Sequence, residues 1–146
     1  MKVLFIAPTA VHQALIAGNI FLGRIPDDNL NHINDFGDMR ADATGMPLFI
    51  GIDKNGTEVY TLGVGSEMDM LKKAIEDLRY ILDYTEEDLV VYPIEIKGEP
   101  FLSLWAKLLA QLGWDYESPS IVTKALKQRL PELRTTIENF KNQLYN

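Results

Sequence analysis

Leu48-Phe49-Ile50-Gly51-Ile52 is followed by Asn55-Gly56 and then by Thr57-Glu58-Val59-Tyr60-Thr61-Leu62. This stretch decides the fold, because both flanking runs are rich in β-branched and aromatic residues. Asn-Gly between two such runs is a strong hairpin signal, since tight hairpin turns need positive φ angles at their central residues. The sequence therefore predicts a β-hairpin, with Asn55 and Gly56 both at positive φ.

The start of the chain, before this hairpin, predicts a strand, a turn and a helix. Residues Lys2-Val3-Leu4-Phe5-Ile6-Ala7 are apolar on both faces, which is typical of a central parallel strand. Pro8-Thr9 interrupts the run. The following apolar residues have helical spacing, and Gly23 is suited to the position just after a helix. That helical stripe consists of Val11, Leu15, Gly18 and Leu22.

A second helix and another strand are predicted after the hairpin. Ser66 is a good N-cap residue, and apolar residues recur at helical spacing from Met68 to Leu82. Leu89-Val90-Val91-Tyr92 is a short apolar run closed by Pro93, as expected of a further strand.

Four segments remain. Residues 27–45 are polar and acidic, with a short apolar face formed by Leu30, Ile33 and Phe36. A buried helix is expected from Pro100 to Leu112. A short edge strand over residues 118–123 and a final helix from Lys124 to Leu144 follow, and Pro131 must kink that helix or start a new segment.

The predicted order is β α β β α β α (β) α within one domain of residues 1–146. Strands that alternate with helices, together with one hairpin, indicate an α/β three-layer sandwich. Its Rossmann-like, mostly parallel sheet would have four or five strands.

Composition narrows the classes of function. The chain has 146 residues, of which 47% are hydrophobic and 24% charged, with a net charge of −7 and no cysteine. No apolar run approaches the roughly 18 residues of a membrane span, and an acidic surface repels nucleic-acid backbones. A cytoplasmic protein with neither a membrane nor a nucleic-acid partner is therefore expected.

The first strand–helix turn is the main candidate site. Open α/β sheets bind ligands beyond the carboxyl ends of their strands, near helix N-termini. At this turn Pro8, Thr9 and Ala10 offer backbone groups and a hydroxyl, and His12 offers an imidazole whose pKa the helix dipole lowers. The alternative is that Thr9 only caps the helix and that His12 lies at its rim.

The turn at Gly63-Val64-Gly65-Ser66 is a second candidate. Free N–H groups and the Ser66 hydroxyl could meet a phosphate there, with Gly65 and Ser66 as binding residues. The pattern lacks the lysine of a P-loop and the third glycine of a dinucleotide site. Simple capping by Ser66 is the main alternative, and Glu67 and Asp69 would compete with an anion.

No metal site is predicted, and the residues name no cofactor. His12 and His32 are the only histidines. Asp35, Asp38 and Asp42 lack the ordered spacing of a calcium loop, which favours a solvated acidic segment.

The chain resembles a family of uncharacterised proteins, a domain of unknown function from Gram-positive spore-forming bacteria. The resemblance rests on Leu22-Gly23-Arg24-Ile25-Pro26, on Phe49-Ile50-Gly51-Ile52-Asp53 with Asn55-Gly56, and on Pro119-Ser120-Ile121-Val122. In the family pattern, Cys-Tyr-Gly-Gly-Thr-His-Ser follows the first strand. Only His12 is retained from that loop, because Ala7 replaces the cysteine and Thr9 and Ala10 replace the glycines.

Two functions remain open from the sequence. The first is binding of a small anionic ligand at the Pro8–His12 turn, extended by Ser66 and bordered by Lys124 and Lys127. The second is a non-catalytic interaction or homo-oligomerisation module that uses the apolar helix at 101–112 with Trp114 and Tyr116. A weaker third idea, an enzyme that pairs His12 with Asp53, places the two residues at opposite ends of the sheet.

Overall fold

The computed structural model describes residues 1–25, 30–94 and 119–146. Within them, one four-stranded sheet has the order β2-β3-β1-β4. The strands are β1 (Lys2–Ala7), β2 (Leu48–Ile52), β3 (Glu58–Gly63) and β4 (Leu89–Pro93). β1 pairs in parallel with β3 and β4, whereas β2 pairs antiparallel with β3. The predicted, mostly parallel sheet is confirmed.

Helices cover both faces of this sheet. Val3 and Phe5 of β1 face a core shared with α1 (Gln13–Phe21) and α4 (Pro119–Tyr145). The alternate residues Leu4 and Ile6 face the opposite side, where α3 (Met68–Ile81) packs through Ile75. This alternation along one buried strand produces the predicted three-layer α/β sandwich.

The centre of the larger core is aromatic. The Phe5 ring makes edge contacts with Phe21 at 5.8 Å, Tyr92 at 6.0 Å and Phe140 at 6.0 Å between centroids. All nine residues of α1 are buried. Because α1 is enclosed on every side, its first turn is held in a defined position at the end of β1.

The hairpin between β2 and β3 is confirmed, but its turn differs from the expected one. Asp53 N–H donates to the Thr57 carbonyl at 3.0 Å, which leaves a three-residue loop. Gly56 has φ +79°, whereas Asn55 is not at positive φ. A three-residue loop with glycine at its left-handed position needs only one such residue.

The end of the chain differs from the prediction of a fifth strand. Residues 119–123 are helical, because α4 begins at Pro119, and proline is well tolerated in the first turn of a helix. The helix continues through Pro131 rather than restarting there. The helix expected over 101–112, with Trp114 and Tyr116, lies outside the described residues.

Residues 30–45 contain two short helical pieces. A 3₁₀ turn spans Leu30–His32, where the sequence predicted a short apolar face, and α2 spans Met39–Asp42, which the sequence did not predict. Asp38 begins α2 by accepting the Arg40 N–H at 3.0 Å. Among the described helices, none is both long and apolar enough to cross a membrane.

Candidate functional site

The two predicted turns meet at the carboxyl edge of the sheet. Ala7 and Gly63 are paired at the ends of β1 and β3. Beyond them, the Val64 N–H donates to the Ala7 carbonyl at 2.9 Å, and the Gly65 N–H donates to the Pro8 carbonyl at 3.1 Å. The Pro8–His12 turn and the Gly63–Ser66 turn therefore lie side by side, as the sequence predicted.

The chain leaves these neighbouring strands toward opposite faces. After β1 it runs into α1 on one face, and after β3 it runs into α3 on the other. In open α/β sheets such a divergence is a switch point, and ligands bind there between the adjacent loops. The edge of the sheet between the two turns, which we call the crevice, is therefore the candidate site.

A carboxylate of the chain itself lies in this crevice. The Ala10 N–H donates to Asp42 Oδ1 at 2.6 Å, and Ala10 is only 1% exposed. Gly63 leaves the space that this contact needs. A Cβ at position 63 would collide with the Asp42 carboxylate and would lie 2.8 Å from the Ala10 nitrogen. The Ala10 N–H of the turn thus donates to a carboxylate of the chain itself, that of Asp42.

His12 stands beside this carboxylate at the N-cap position of α1. Its Nδ1 is 2.8 Å from Thr9 Oγ1, and its side chain makes no capping bond. The Phe36 ring meets the imidazole edge-on at 5.7 Å between centroids. The alternative in which Thr9 only caps the helix is therefore wrong, because the Thr9 hydroxyl pairs with the His12 imidazole and both are half-buried.

Burial lowers the pKa of His12, and the nearby Asp42 charge opposes this effect. The direction agrees with the prediction, and the main cause is desolvation of the ring by burial. A neutral imidazole donates one hydrogen bond at one ring nitrogen and accepts one at the other. The site therefore combines a backbone donor, a carboxylate and an uncharged imidazole.

The second turn, Gly63–Ser66, provides backbone groups next to the first turn but no side chain that caps a helix. Gly65 has φ +59°, a left-handed conformation that suits glycine. Ser66 was predicted to cap the next helix, and this is wrong, because Glu67 holds the N-cap position. The exposed Ser66 hydroxyl instead donates to Glu67 Oε1 at 3.2 Å.

Among the described contacts, none joins the other predicted residues to the turn. Lys124 and Lys127 are exposed on α4, and among the described contacts neither has a hydrogen bond or ion pair with the site. Asp53 lies at the amino end of the sheet, where its carboxylate accepts the Tyr145 hydroxyl at 2.7 Å. The expected distance between Asp53 and His12 is confirmed.

In residues 1–25, 30–94 and 119–146, no group of three or more histidine or acidic side chains is arranged to hold a metal ion. Asp35 and Asp38 are exposed, whereas Asp42 is half-buried. The sequence interpretation of these three aspartates as part of a solvated segment is therefore wrong for Asp42.

Sequence reasoning missed Asp42 and Gly63 as site residues. Asp42 is 32 positions from Ala10, and nothing in the local pattern separates it from the other acidic residues of its segment. Gly63 had a signal, because it belongs to the Gly-x-Gly turn that was considered. Its role as space for a carboxylate depends on the path of residues 35–42, which local spacing does not reveal.

Comparison with known proteins places the chain in a family. Residues 2–142 match the family model described as "Protein of unknown function (DUF3189)". No curated protein and no solved structure matches the chain. Since the match spans nearly the whole sequence, the chain belongs to the DUF3189 family of proteins of unknown function.

Proposed function

We propose that the chain binds a small anionic ligand, such as a phosphate or carboxylate compound, in the crevice between the two turns. The observation that carries this proposal is the hydrogen bond from the Ala10 N–H to the Asp42 carboxylate at 2.6 Å. A backbone N–H that donates to an internal carboxylate has the polarity to donate to an anionic group of a ligand.

The neighbouring groups support this chemistry. The uncharged His12 imidazole can donate a hydrogen bond to the ligand without the cost of burying a second charge. The Gly65 N–H donates to the Pro8 carbonyl, and the exposed Ser66 follows Gly65 directly. The proposed contacts are therefore the Ala10 N–H and the His12 ring, with Thr9 holding that ring and Ser66 at the rim.

The resemblance described above also supports the location, because His12 is the residue of the family loop that this chain retains. The proposal keeps the cytoplasmic location expected from the sequence and includes no nucleic-acid partner, since the net charge is −7.

Calorimetric titration tests the proposal. Inorganic phosphate, a sugar phosphate and a nucleotide are each titrated into the wild-type chain and into Asp42→Ala. At least one should bind, and His12→Ala should weaken its binding about tenfold through loss of a hydrogen bond to a charged group. His32→Ala is the matched control, because His32 is exposed outside the crevice. Absence of heat from all three compounds, with both proteins, would overturn the proposal.

The alternative of a self-associating module is favoured by one specific feature. Helix α3 has no fully buried residue, and Leu78, Ile81 and Leu82 are 52%, 74% and 56% exposed. Large apolar side chains grouped on one exposed helix are typical of interaction surfaces. Light scattering on the wild type and on Ile81→Asp tests this, because a dimer through α3 should dissociate in the variant. A monomeric wild type at all concentrations would exclude self-association through α3.

A further inference from the structure

The segment that covers the candidate site is attached to it at three separate points. We name residues 35–42 the strap. The Gly37 N–H donates to the Val11 carbonyl at 3.0 Å, the Phe36 ring packs on His12, and Asp42 accepts the Ala10 N–H. All three contacts lie on the Pro8–His12 turn, and together they close the crevice from one side.

The backbone of the strap has a conformation suited to folding back over the turn. Asp35 has φ +63° and Gly37 has φ +77°. Left-handed residues reverse the direction of a chain over a short distance, and for a non-glycine residue this conformation is costly. The contacts at Gly37 and Asp42 must therefore offset the strain at Asp35 in the closed arrangement.

The contact made by Asp42 differs in kind from the other two. Those consist of one neutral hydrogen bond and one ring contact, whereas a carboxylate that accepts a short backbone hydrogen bond forms a charge-assisted bond of about twice the usual strength. Helix α2 has only four residues and none of them is buried. Beyond Asp42, the strap is attached by the Gly37 N–H and by the Phe36 ring, which is partly buried against the main core. Asp42 is therefore the charge-assisted attachment among the three.

We propose that the strap is a latch, in which the Asp42 carboxylate holds residues 35–42 closed over His12 and the Ala10 N–H. Release of Asp42 frees the whole strap and uncovers both groups at once. The final step, in which an anionic ligand displaces Asp42 from the Ala10 N–H, rests on the proposed function. The latch itself is defined by contacts within the chain and can be tested without a ligand.

A change in the pKa of His12 distinguishes a latch, which opens the strap, from a local contact whose loss leaves the strap closed. The Asp42 charge raises this pKa and burial lowers it. If Asp42→Ala removes only the charge and the strap stays closed, the pKa of His12 must fall. If the strap opens, the imidazole regains solvent and its pKa must rise toward the ordinary value of about 6.5.

The experiment measures this pKa by NMR titration of the ligand-free chain, together with hydrogen exchange of the Gly37 amide. Asp42→Ala should raise the pKa of His12 and speed Gly37 exchange at least about tenfold, because an opened strap loses its protection. Asp38→Asn is the matched control, since it removes one negative charge from the same segment and keeps a good N-cap residue for α2. A His12 pKa that falls or stays constant in Asp42→Ala overturns the latch.

A second variant covers the case in which Asp42→Ala does not fold. Gly63→Ala keeps the carboxylate but places a Cβ where Asp42 Oδ1 now lies and 2.8 Å from the Ala10 nitrogen, so the two partners of the latch bond must separate. The latch predicts the same rise in the pKa of His12, and an unchanged pKa would contradict it.

Phosphate titration of the opened variant then separates the two proposals. Binding of inorganic phosphate at least about tenfold tighter in Asp42→Ala than in the wild type supports displacement of Asp42 by the ligand. A raised His12 pKa without any phosphate binding would leave the latch standing and would argue against phosphate as the ligand.

Discussion

At the scale of single residues, Asp53 joins the hairpin to the end of α4. Its side chain is 1% exposed. The carboxylate accepts the N–H groups of Asn55 at 2.8 Å and Thr57 at 3.0 Å, and the Tyr145 hydroxyl at 2.7 Å. Lys141 Nζ lies 3.7 Å away. Such a carboxylate is stabilised by its hydrogen bonds rather than by water.

Because of these contacts, the free energy of unfolding depends on pH in the acid range. Burial acts to raise the pKa of Asp53, but the bonds from Tyr145, Thr57 and Asn55, with the Lys141 charge, outweigh it and lower the pKa. The stabilisation is therefore complete above the unfolded-state pKa of about 3.9 and is lost as pH falls through the lower folded-state pKa.

We expect Asp53→Asn to lower the free energy of unfolding at pH 7 by about 1.5–3 kcal/mol, because hydrogen bonds to a charged group are lost. Between pH 5 and 2 the free energy of unfolding should also fall less in the variant than in the wild type, because the variant has no carboxylate to protonate at this position. Urea unfolding at several pH values measures both effects. Asp77→Asn, on the exposed surface of α3, is the control, and an equal acid dependence in wild type and Asp53→Asn would contradict the prediction.

The residue scale also shows the limit of sequence reasoning. The position of His12 at the rim of the sheet could be predicted, because a strand followed by a helix places the intervening turn at the carboxyl edge. The contacts that Phe36 and Asp42 make with this turn could not be predicted, because they depend on the path of residues 30–45 across it. No periodic pattern of apolar residues indicates that path.

At the scale of elements, the approach of α1 to the sheet is set by Gly18. A Cβ at this position would lie 3.4 Å from Val59 Cγ1, 3.5 Å from Thr61 Cγ2 and 3.6 Å from Ile50 Cγ1. These are ordinary van der Waals distances, so there is room for a methyl group and for little more.

We therefore expect Gly18→Ala to stabilise the chain by up to about 1 kcal/mol, since alanine is the better helix former and meets no clash. Gly18→Leu should instead destabilise it by about 1–3 kcal/mol, because a larger side chain would force α1 away from β3. Thermal unfolding followed by circular dichroism measures both. A lower melting temperature for Gly18→Ala would show that the helix cannot accept even one methyl group.

Helix α4 carries an internal proline at a position that the structure leaves exposed. Pro131 has no N–H to donate to the carbonyl of Lys127, and its ring crowds that carbonyl. The helix nevertheless continues on both sides of it, and Leu126, Leu130 and Leu133 are buried in the core. Packing of this apolar stripe therefore outweighs the local cost of proline.

Pro131→Ala should raise the free energy of unfolding by up to about 3 kcal/mol, because it restores one helical hydrogen bond and removes the clash. Chemical denaturation measures the change, with Thr136→Ala as an exposed control on the same helix. A loss of stability would contradict the expectation and would indicate that the stripe packs correctly only with proline at this position.

The elements themselves were largely predictable from the sequence. Strand β1 follows from a short apolar run that ends at Pro8, helix α1 from an apolar stripe that ends at Gly23, and the hairpin from Asn55-Gly56. Residues 119–123 were mistaken for a strand, because a β-branched pair after proline resembles an edge strand as much as the first turn of a helix. Only packing against the rest of α4 decides between the two.

At the scale of the whole molecule, the exposed edge of the sheet is protected by a distant arginine. β2 is an edge strand, and its pairing with β3 is irregular between Phe49 and Gly51. Arg24 Nη1 donates to the Ile50 carbonyl at 2.8 Å. Its guanidinium lies over Gly51, where a Cβ would come within 2.5 Å of Nη2. An irregular edge with a charged cap is a poor template for another strand.

We expect Arg24→Ala to expose this edge and to promote association of chains through β2. The Ile50 carbonyl loses its donor, and Phe49 and Ile52, already 57% and 56% exposed, offer apolar surface next to it. Unpaired backbone beside apolar side chains favours pairing with a second edge strand. Light scattering should therefore show a molar mass that rises with concentration more steeply than in the wild type. Lys54→Ala is the control, because it also removes one positive charge, from the neighbouring hairpin loop, and should leave the molar mass unchanged. If the molar mass of Arg24→Ala and Lys54→Ala depends on concentration in the same way, Arg24 does not protect the edge from pairing.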